Sequence, residues 1–401
     1  MQAILWRAGE SNLSSNIIVG IDASNLRRGG GVTHLVEILR AANPSQHGIS
    51  KIVVFGGAAT LSLLDSRPWL VKRSLPELNG GVVTRLLWQF FKLTRLLEVE
   101  NCSILFVPGG NFSSRFRPVV TMSRNLLPFE TREMKRYGLS VMGLKLMLLR
   151  FGQTRSLRNA DGVIFLTNYA KEVVENVTGK LEGTVTQISH GLDARFLNSP
   201  KPQQAIEAYS VNNPYHLLYV SIIDEYKHQW CVIEAVAALR KKGLPLTLSL
   251  VGPGYGPALK KLRQSMVNHD PDSTWIRYHG AVNYNELHEM YARADLGVFA
   301  SSCENMPNIL LETMASGLPV ACSNMGPMPE VLGDAGVYFD PTNPSEISLA
   351  LETLINSPDL RRSNATNSYT RAQKFSWQRC AEETLTFLAH VAQQQSTHKY
   401  S

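Results

Sequence analysis

Residues 296–323 read LGVFASSCENMPNILLETMASGLPVACS. An apolar run ends near Ala300, a short polar loop carries Glu304, a helix is predicted from about Pro307 through Glu312, and Gly317 stops it before a second apolar run at 318–322. Proline in the first turn and glycine just past the last are the usual start and stop signals of a helix. Strand, loop, helix and strand in this order form one unit of a parallel sheet with crossover helices. A helix start presents unpaired N–H groups and the positive end of the helix dipole. The amides around Asn308, Ile309 and Leu310 therefore make an anion site that suits a diphosphate. Glu304 precedes that site and is placed to accept hydrogen bonds from sugar hydroxyls; Glu312, about two turns on, is placed to take a ribose diol. Alone, either glutamate reads as a solvated residue, because charged side chains are mostly exposed. Glu312 differs because it lies within the apolar stretch ILLETMA, where a buried charge needs a partner.

The same alternation extends outward in both directions. Short β-branched runs at 16–21, 51–55, 104–107, 119–122, 162–166 and 184–188 precede a break, and runs at 216–220, 247–251, 275–278, 296–300 and 320–322 follow it. Helical patterns separate many of them, which predicts an α/β fold with one doubly wound parallel sheet in each half. The break at 197–215 (LNSPKPQQAIEAYSVNNPY) holds three prolines and reads as the linker. The expected division is 1–197, 198–375, and a C-terminal helix with a polar, frayed tail over 376–401. In the first half, DASNLRRGGGV (22–32) follows a strand and precedes a helix expected at 33–39. Gly29, Gly30 and Gly31 there suit close backbone approach to an anion, and equally suit a flexible turn.

The spacing of Glu304 and Glu312 followed by MASGLP (314–319) resembles the signature of glycosyltransferase family 4. NMGPMPE (324–330) resembles the loop that closes that family's donor pocket, and GVYFDP (336–341) resembles the strand and turn after it. The resemblance implies a GT-B fold: two Rossmann-like domains with facing parallel sheets and an interdomain cleft, the C-terminal helix crossing back to the first. It implies a retaining, metal-independent glycosyltransferase, with the nucleotide-sugar donor on the second domain and the acceptor on the first. Lys227 in YVSIIDEYKHQ (219–229) matches the lysine that holds the donor phosphates; the accompanying arginine is missing, with Ile222 or a neighbour in its place. Ser123-Arg124-Asn125 stands where many members carry a catalytic-loop histidine, and Arg124 is a candidate for stabilising charge on the leaving phosphate. The resemblance thus places Glu304, Lys227 and Arg124 at the chemistry and Lys227, Asn308, Ile309, Leu310 and Glu312 on the donor. The turn GPGYG (252–256) reads as structural, Asp270-Pro-Asp272 as a surface turn rather than a metal pair, and His190 in SHGLD (189–193) as a hydrogen-bonded structural histidine as readily as a site residue. No cofactor or metal is expected.

Composition narrows the partners. The 401 residues carry a net charge of +7, which favours anionic ligands without choosing among them. The five cysteines are dispersed, with no metal-ligand spacing, and read as free thiols of a reducing compartment. No signal peptide or spanning segment is expected, so the chain reads as cytoplasmic. Residues 132–158 hold seven basic residues and one acidic around an apolar run, and Arg85, Trp88, Lys92 and Arg95 recur at helical spacing upstream. Basic stripes with an aromatic suit an anionic membrane surface, so peripheral docking at the inner face of a membrane is expected; a core helix with a solvated face fits the same pattern. No nucleic-acid module is recognised. The acceptor expected is a glycan or lipid-linked glycan, as in lipopolysaccharide or other polysaccharide biosynthesis. A nucleotide-sugar epimerase of the same fold, and a non-catalytic membrane-docked subunit that binds sugar nucleotides, are the alternative functions.

Overall fold

The computed structural model describes residues 16–27 and 29–398. Arg28 of the glycine-rich loop and the last three residues of the polar tail lie outside the described residues. The chain divides into two compact units. One holds the residues up to Phe129, Lys145–Gly191 and the chain from Trp377; the other holds Glu130–Leu144 and Leu192–Ser376.

The first unit is built on seven parallel strands: β1 (Ile17–Asp22), β2 (Ile49–Phe55), β3 (Leu70–Arg73), β4 (Ile104–Val107), β5 (Val119–Met122), β6 (Gly162–Phe165) and β7 (Thr184–Gln187). Their spatial order is β3-β2-β1-β4-β5-β6-β7. The second unit has six: β8 (Tyr215–Val220), β9 (Leu246–Val251), β10 (Ile276–Tyr278), β11 (Leu296–Phe299), β12 (Val320–Ser323) and β13 (Val337–Phe339), in the order β10-β9-β8-β11-β12-β13. The central strands are apolar on both faces because helices cover both, the condition under which all-parallel sheets occur. β3 is absent from the apolar runs of the sequence. It is a four-residue edge strand, LVKR, only partly buried, so it carries little hydrophobic signal.

Three sequence expectations are corrected here. The boundary expected at 197/198 falls at Gly191/Leu192, and the proline-rich stretch is not a free linker. Phe196 packs edge-on to Tyr291, the Asn198 amide donates to Ala315 O at 3.0 Å, and Lys201 Nζ donates to Ala294 O at 3.1 Å, so the segment lies on the second unit. Residues 130–144, expected in the first half, also belong there: the Tyr137 hydroxyl donates to Asp224 at 2.8 Å. The tail expected to fray is helical to His398, in a helix from Trp377 that packs on the Gly30–Ala41 helix and on β1 and β4 of the first unit.

The basic stripe upstream is also corrected. In the helix Val82–Phe91, Trp88 is buried against Phe55, and Arg85 is buried with Nη1 donating to Gly80 O at 2.7 Å. The exposed face carries Val82, Val83, Leu86, Leu87, Phe90 and Phe91 instead. The helix is rotated relative to the expectation because the largest apolar side chain, Trp88, reaches the core cluster with Leu97, Leu105 and Phe165.

Candidate functional site

In doubly wound sheets ligands bind beyond the C-terminal ends of the strands, where the strand order reverses. In the second sheet that point lies between β8 and β11, which are paired neighbours. The loop after β8 carries Lys227 and the loop after β11 carries Glu304, so two residues 77 positions apart meet there in a Lys227 Nζ–Glu304 Oε1 ion pair. Lys227 is buried, its ammonium 5.0 Å from the Tyr226 ring centroid and 5.4 Å from that of Phe299. The loop is fixed from several sides. Tyr219 donates its hydroxyl to Lys227 O at 2.7 Å, Asp224 accepts from the Glu225 amide and the Tyr137 hydroxyl, and the Ser302 amide donates to Tyr226 O at 2.9 Å. His228, in a left-handed conformation with φ 49°, holds Ser302 Oγ at 2.9 Å. Burial, with the cations Arg136 and Lys261, lowers its imidazole to about 3, so it is a neutral brace.

The helix Asn308–Ala315 follows β11 and points its N-terminus at this place. Pro307 caps it without a side-chain bond. Of the three amides singled out, that of Asn308 is already used, donating to Met306 O at 3.0 Å. Those of Ile309 and Leu310 stand in the first turn, where the helical ladder offers no acceptor. Gly297 in β11 lets the helix lie close to the strand, because a methyl there would collide with Thr313. Gly317 ends the helix at φ 65°, where an added Cβ would sit 2.5 Å from Asn198 O. Only glycine fits both the left-handed backbone and that space.

Glu312 does not join the Lys227–Glu304 pair. It is 5% exposed and its two oxygens accept from Tyr284 at 3.2 Å and Tyr291 at 3.4 Å. Burial pushes its carboxyl up to about 8, although both tyrosine bonds oppose the shift. Arg195 lies over the Tyr284 ring at 4.9 Å and pairs with Asp193 at 2.5 Å. Sequence reading missed Tyr284, Tyr291 and Arg195; none stands near Glu312 in the chain, and the tyrosines lie on and before a seven-residue helix, Leu287–Arg293, without a motif.

In the first sheet the order reverses between β1 and β4. Of the three glycines after β1, only Gly29 lies outside the helix, at φ 70°, because the helix begins at Gly30, earlier than expected. Arg124, after β5, donates from Nη2 to Gly30 O at 2.7 Å, while its Nη1 is buried without a hydrogen-bond partner. Burial lowers the guanidinium to about 10, which leaves it cationic at neutral pH. His34 and His190 meet nitrogen to nitrogen at 2.8 Å, both buried against Trp377, His34 edge-on to it and His190 tilted. Burial and the nearby Arg124 hold both well below the usual histidine range, so His190 is a neutral packing residue.

Two other expected readings concern turns. GPGYG is pinned to the loop after β8 by Ile223 N donating to Pro253 O and Tyr255 N to Ile223 O, both at 2.8 Å, so its backbone is already engaged. Asp270 spends its carboxylate on the amides of Thr274, Trp275 and Ile276, a local turn cap.

Residues 202–371 match the family described as glycosyl transferases group 1. The O-antigen chain mannosyltransferase B of Escherichia coli is 30% identical over 193 residues, which cover 46% of this chain and 50% of that protein. The chain thus spans about half the length of that curated relative. Among solved structures, HepE of Anabaena in complex with UDP and glucose superimposes with a TM-score of 0.67 at 17% identity, covering 95% of this chain and 100% of that one. WaaG, a glycosyltransferase involved in lipopolysaccharide biosynthesis, gives 0.66 at 16% identity, covering 93% and 99%. These likenesses establish the GT-B architecture for the two parallel sheets.

Proposed function

We propose, from the premise that this chain belongs to the glycosyl transferases group 1 with a GT-B fold, that it moves a hexosyl unit from a nucleotide sugar to a glycan or lipid-linked glycan with retention and without a metal. One observation carries this reading. Lys227, Glu304 and the open amides of Ile309 and Leu310 converge where the strand order of the second sheet reverses, with Glu312 a turn further along the same helix. Lys227 and the helix pole take the diphosphate, and Glu304 takes sugar hydroxyls once the phosphate competes for its lysine. Each oxygen of Glu312 accepts one tyrosine bond, and a carboxylate oxygen has about two acceptor sites. One site per oxygen therefore remains for a ribose diol. Arg124 and the Gly29–Gly31 helix start are assigned to phosphate or acceptor. In front-face displacement the departing phosphate takes the acceptor proton, so no protein nucleophile is required; the residues stabilise an oxocarbenium-like sugar and the leaving diphosphate.

Nucleotide sugars carrying mannose or glucose are the first donors to test, given the relative's name and HepE's ligand. Incubation with each, read by nucleotide release and by the anomeric configuration of the product, should give slow hydrolysis and faster transfer to a lipopolysaccharide-type acceptor. A free epimerised sugar as sole product, or tight donor binding with no turnover on any acceptor, would sink the reading.

The first unit is proposed to dock on an anionic membrane. The Val82–Phe91 helix exposes Phe91 at 70%, and the Val141–Arg158 helix exposes Phe151 at 74% beside Met147 and Leu148, with Lys145 exposed on the same helix. Among the described residues no helix is long and apolar enough to cross a membrane. An apolar face rimmed by cations suits surface attachment. Co-sedimentation with vesicles rich in anionic lipid is expected, declining with salt, and the double variant Phe91→Ser/Phe151→Ser should lower partitioning about tenfold or more. Equal binding to neutral vesicles, or no loss in the variant, would remove the assignment.

A further inference from the structure

A cavity of about 350 Å³ opens on one face of the second sheet. It is lined by His216 of β8, Thr247 and Ser249 of β9, Arg277 of β10, His279 just beyond it, and Arg293. Residues two apart on a strand share a face, and the register sets His216 beside Thr247 and Ser249 beside Arg277, so the polar groups form one patch across three strands. A sheet of this kind is normally apolar on both faces. The helix Leu287–Arg293, which returns the chain from β10 to β11, has seven residues and packs on β8. Ser249 is buried beneath the patch, whereas Arg277 and His279, on and just beyond the edge strand β10, stay exposed.

The patch is a set of donors with little counter-charge. Arg277 has no salt bridge among the described residues, and the Arg293–Glu289 pair is largely exposed. Asp295, the nearby carboxylate, is occupied by the His216 amide at 2.8 Å and the Tyr209 hydroxyl at 3.5 Å. His216 Nδ1 is held by Thr247 Oγ1 at 2.9 Å, and His279 Nε2 by Ser249 Oγ at 3.1 Å, which fixes both rings. Burial, with His279, Arg277 and Lys201 nearby, holds His216 down to about 4, and burial with Arg277 lowers His279 as well, so both rings are neutral at neutral pH. Arg277 is thus a cation without an ion pair among the described residues, set beside neutral imidazoles and hydroxyls that can bond an anion's oxygens.

We propose that this cavity is a binding site for a small phosphomonoester dianion, separate from the place where Lys227 and Glu304 meet. The guanidinium fork of Arg277 can take two phosphate oxygens, and the imidazoles, hydroxyls and Arg293 surround the remainder. The volume admits a small solute and not a polymer. The two sites lie at different ends of β8: His216 is near its start, whereas Lys227 follows its end.

The test is calorimetric titration of the full chain with inorganic phosphate and with glucose 6-phosphate. Saturable binding is expected, unchanged in Lys227→Ala, weakened about tenfold or more in Arg277→Gln and His216→Gln, and partly kept in Arg277→Lys. Tighter binding of the ester identifies a phosphorylated metabolite as the ligand; equal binding identifies the phosphate itself, and both support the site. Absence of binding, equal binding in folded Arg277→Gln and His216→Gln, or loss of binding in Lys227→Ala would overturn it. Thermal melts confirm folding, and His216→Asn serves should His216→Gln fail to fold. None of these readouts needs turnover, so failure here leaves the donor assignment standing, and failure of that assignment leaves this one.

Discussion

Replacement of Lys227 by alanine should lower turnover on any accepted nucleotide sugar by about 100- to 1,000-fold, the usual loss when one preorganised charge is removed from a developing anion. On the proposed reading the leaving diphosphate gains negative charge as the glycosidic bond breaks, and Lys227 stands paired with Glu304 of the loop that leads into the helix Asn308–Ala315. If the resemblance of this loop holds, Ile222 or a neighbour stands where an arginine is expected, and the proposed phosphate role rests the more on Lys227. A structural contribution must be separated from the chemical one. The Lys227–Glu304 pair is largely buried, with side chains 7% and 16% exposed, so removing the lysine strands a carboxylate and costs stability on the order of 1–3 kcal/mol. The double variant Lys227→Met/Glu304→Gln removes both charges and should regain most of that stability. Thermal melts beside kcat and KM, with Glu304→Gln as the single-variant reference, distinguish the cases: recovered stability with turnover well below that of Glu304→Gln assigns the lysine to the reaction. Turnover near wild type in folded Lys227→Ala would refute the phosphate role.

What the sequence disclosed follows from how its signals arise. The helix at 308–315 was legible because its punctuation is local: a proline before it, a glycine after it, apolar runs on both sides. The Lys227–Glu304 meeting was legible only through resemblance, since it depends on β8 and β11 being neighbours, a fact of strand order that no local pattern carries. The tyrosines at Glu312 left no trace, because aromatic residues on a short helix read as core. Trp88 misled for a related reason: basic residues and an aromatic at helical spacing do not say which side faces inward, and the core claimed the tryptophan. The domain boundary was misplaced because prolines mark chain direction, not contact; Asn198 and Lys201 bind the second unit through backbone carbonyls that composition cannot foresee. The polar sheet face at His216, Thr247 and Arg277 was hidden inside runs counted as ordinary strands.

Glu312 yields the second large effect, visible in two opposed measurements. Burial raises its carboxyl from an ordinary 4.5 to about 8. The folded chain therefore binds a proton more readily than the unfolded one throughout the interval between those values, and stability should fall as pH rises through it, at up to about 1.4 kcal/mol per pH unit. Above about pH 8 the ionised carboxylate is carried as a full penalty. Glu312→Gln lacks the titrating group, so its melting temperature should exceed that of wild type at pH 8.5 and the gap should close toward pH 5. Nucleotide binding should respond in the opposite sense. Ribose hydroxyls are donors and prefer the ionised acceptor, so binding should release a proton below pH 8 and strengthen from pH 6 to pH 8. Calorimetry in two buffers of different ionisation enthalpy counts that proton directly. In Glu312→Gln the release should vanish and affinity drop about ten- to a hundredfold, the cost of losing two charge-assisted hydrogen bonds. The tyrosines supply the control: Tyr284→Phe and Tyr291→Phe each remove one bond that favours the ionised form, so each should move the proton-release profile to higher pH while leaving the carboxylate in place. A glutamine variant that is stabilised at high pH yet binds nucleotide with wild-type affinity would leave Glu312 as a buried structural acid and place the ribose elsewhere.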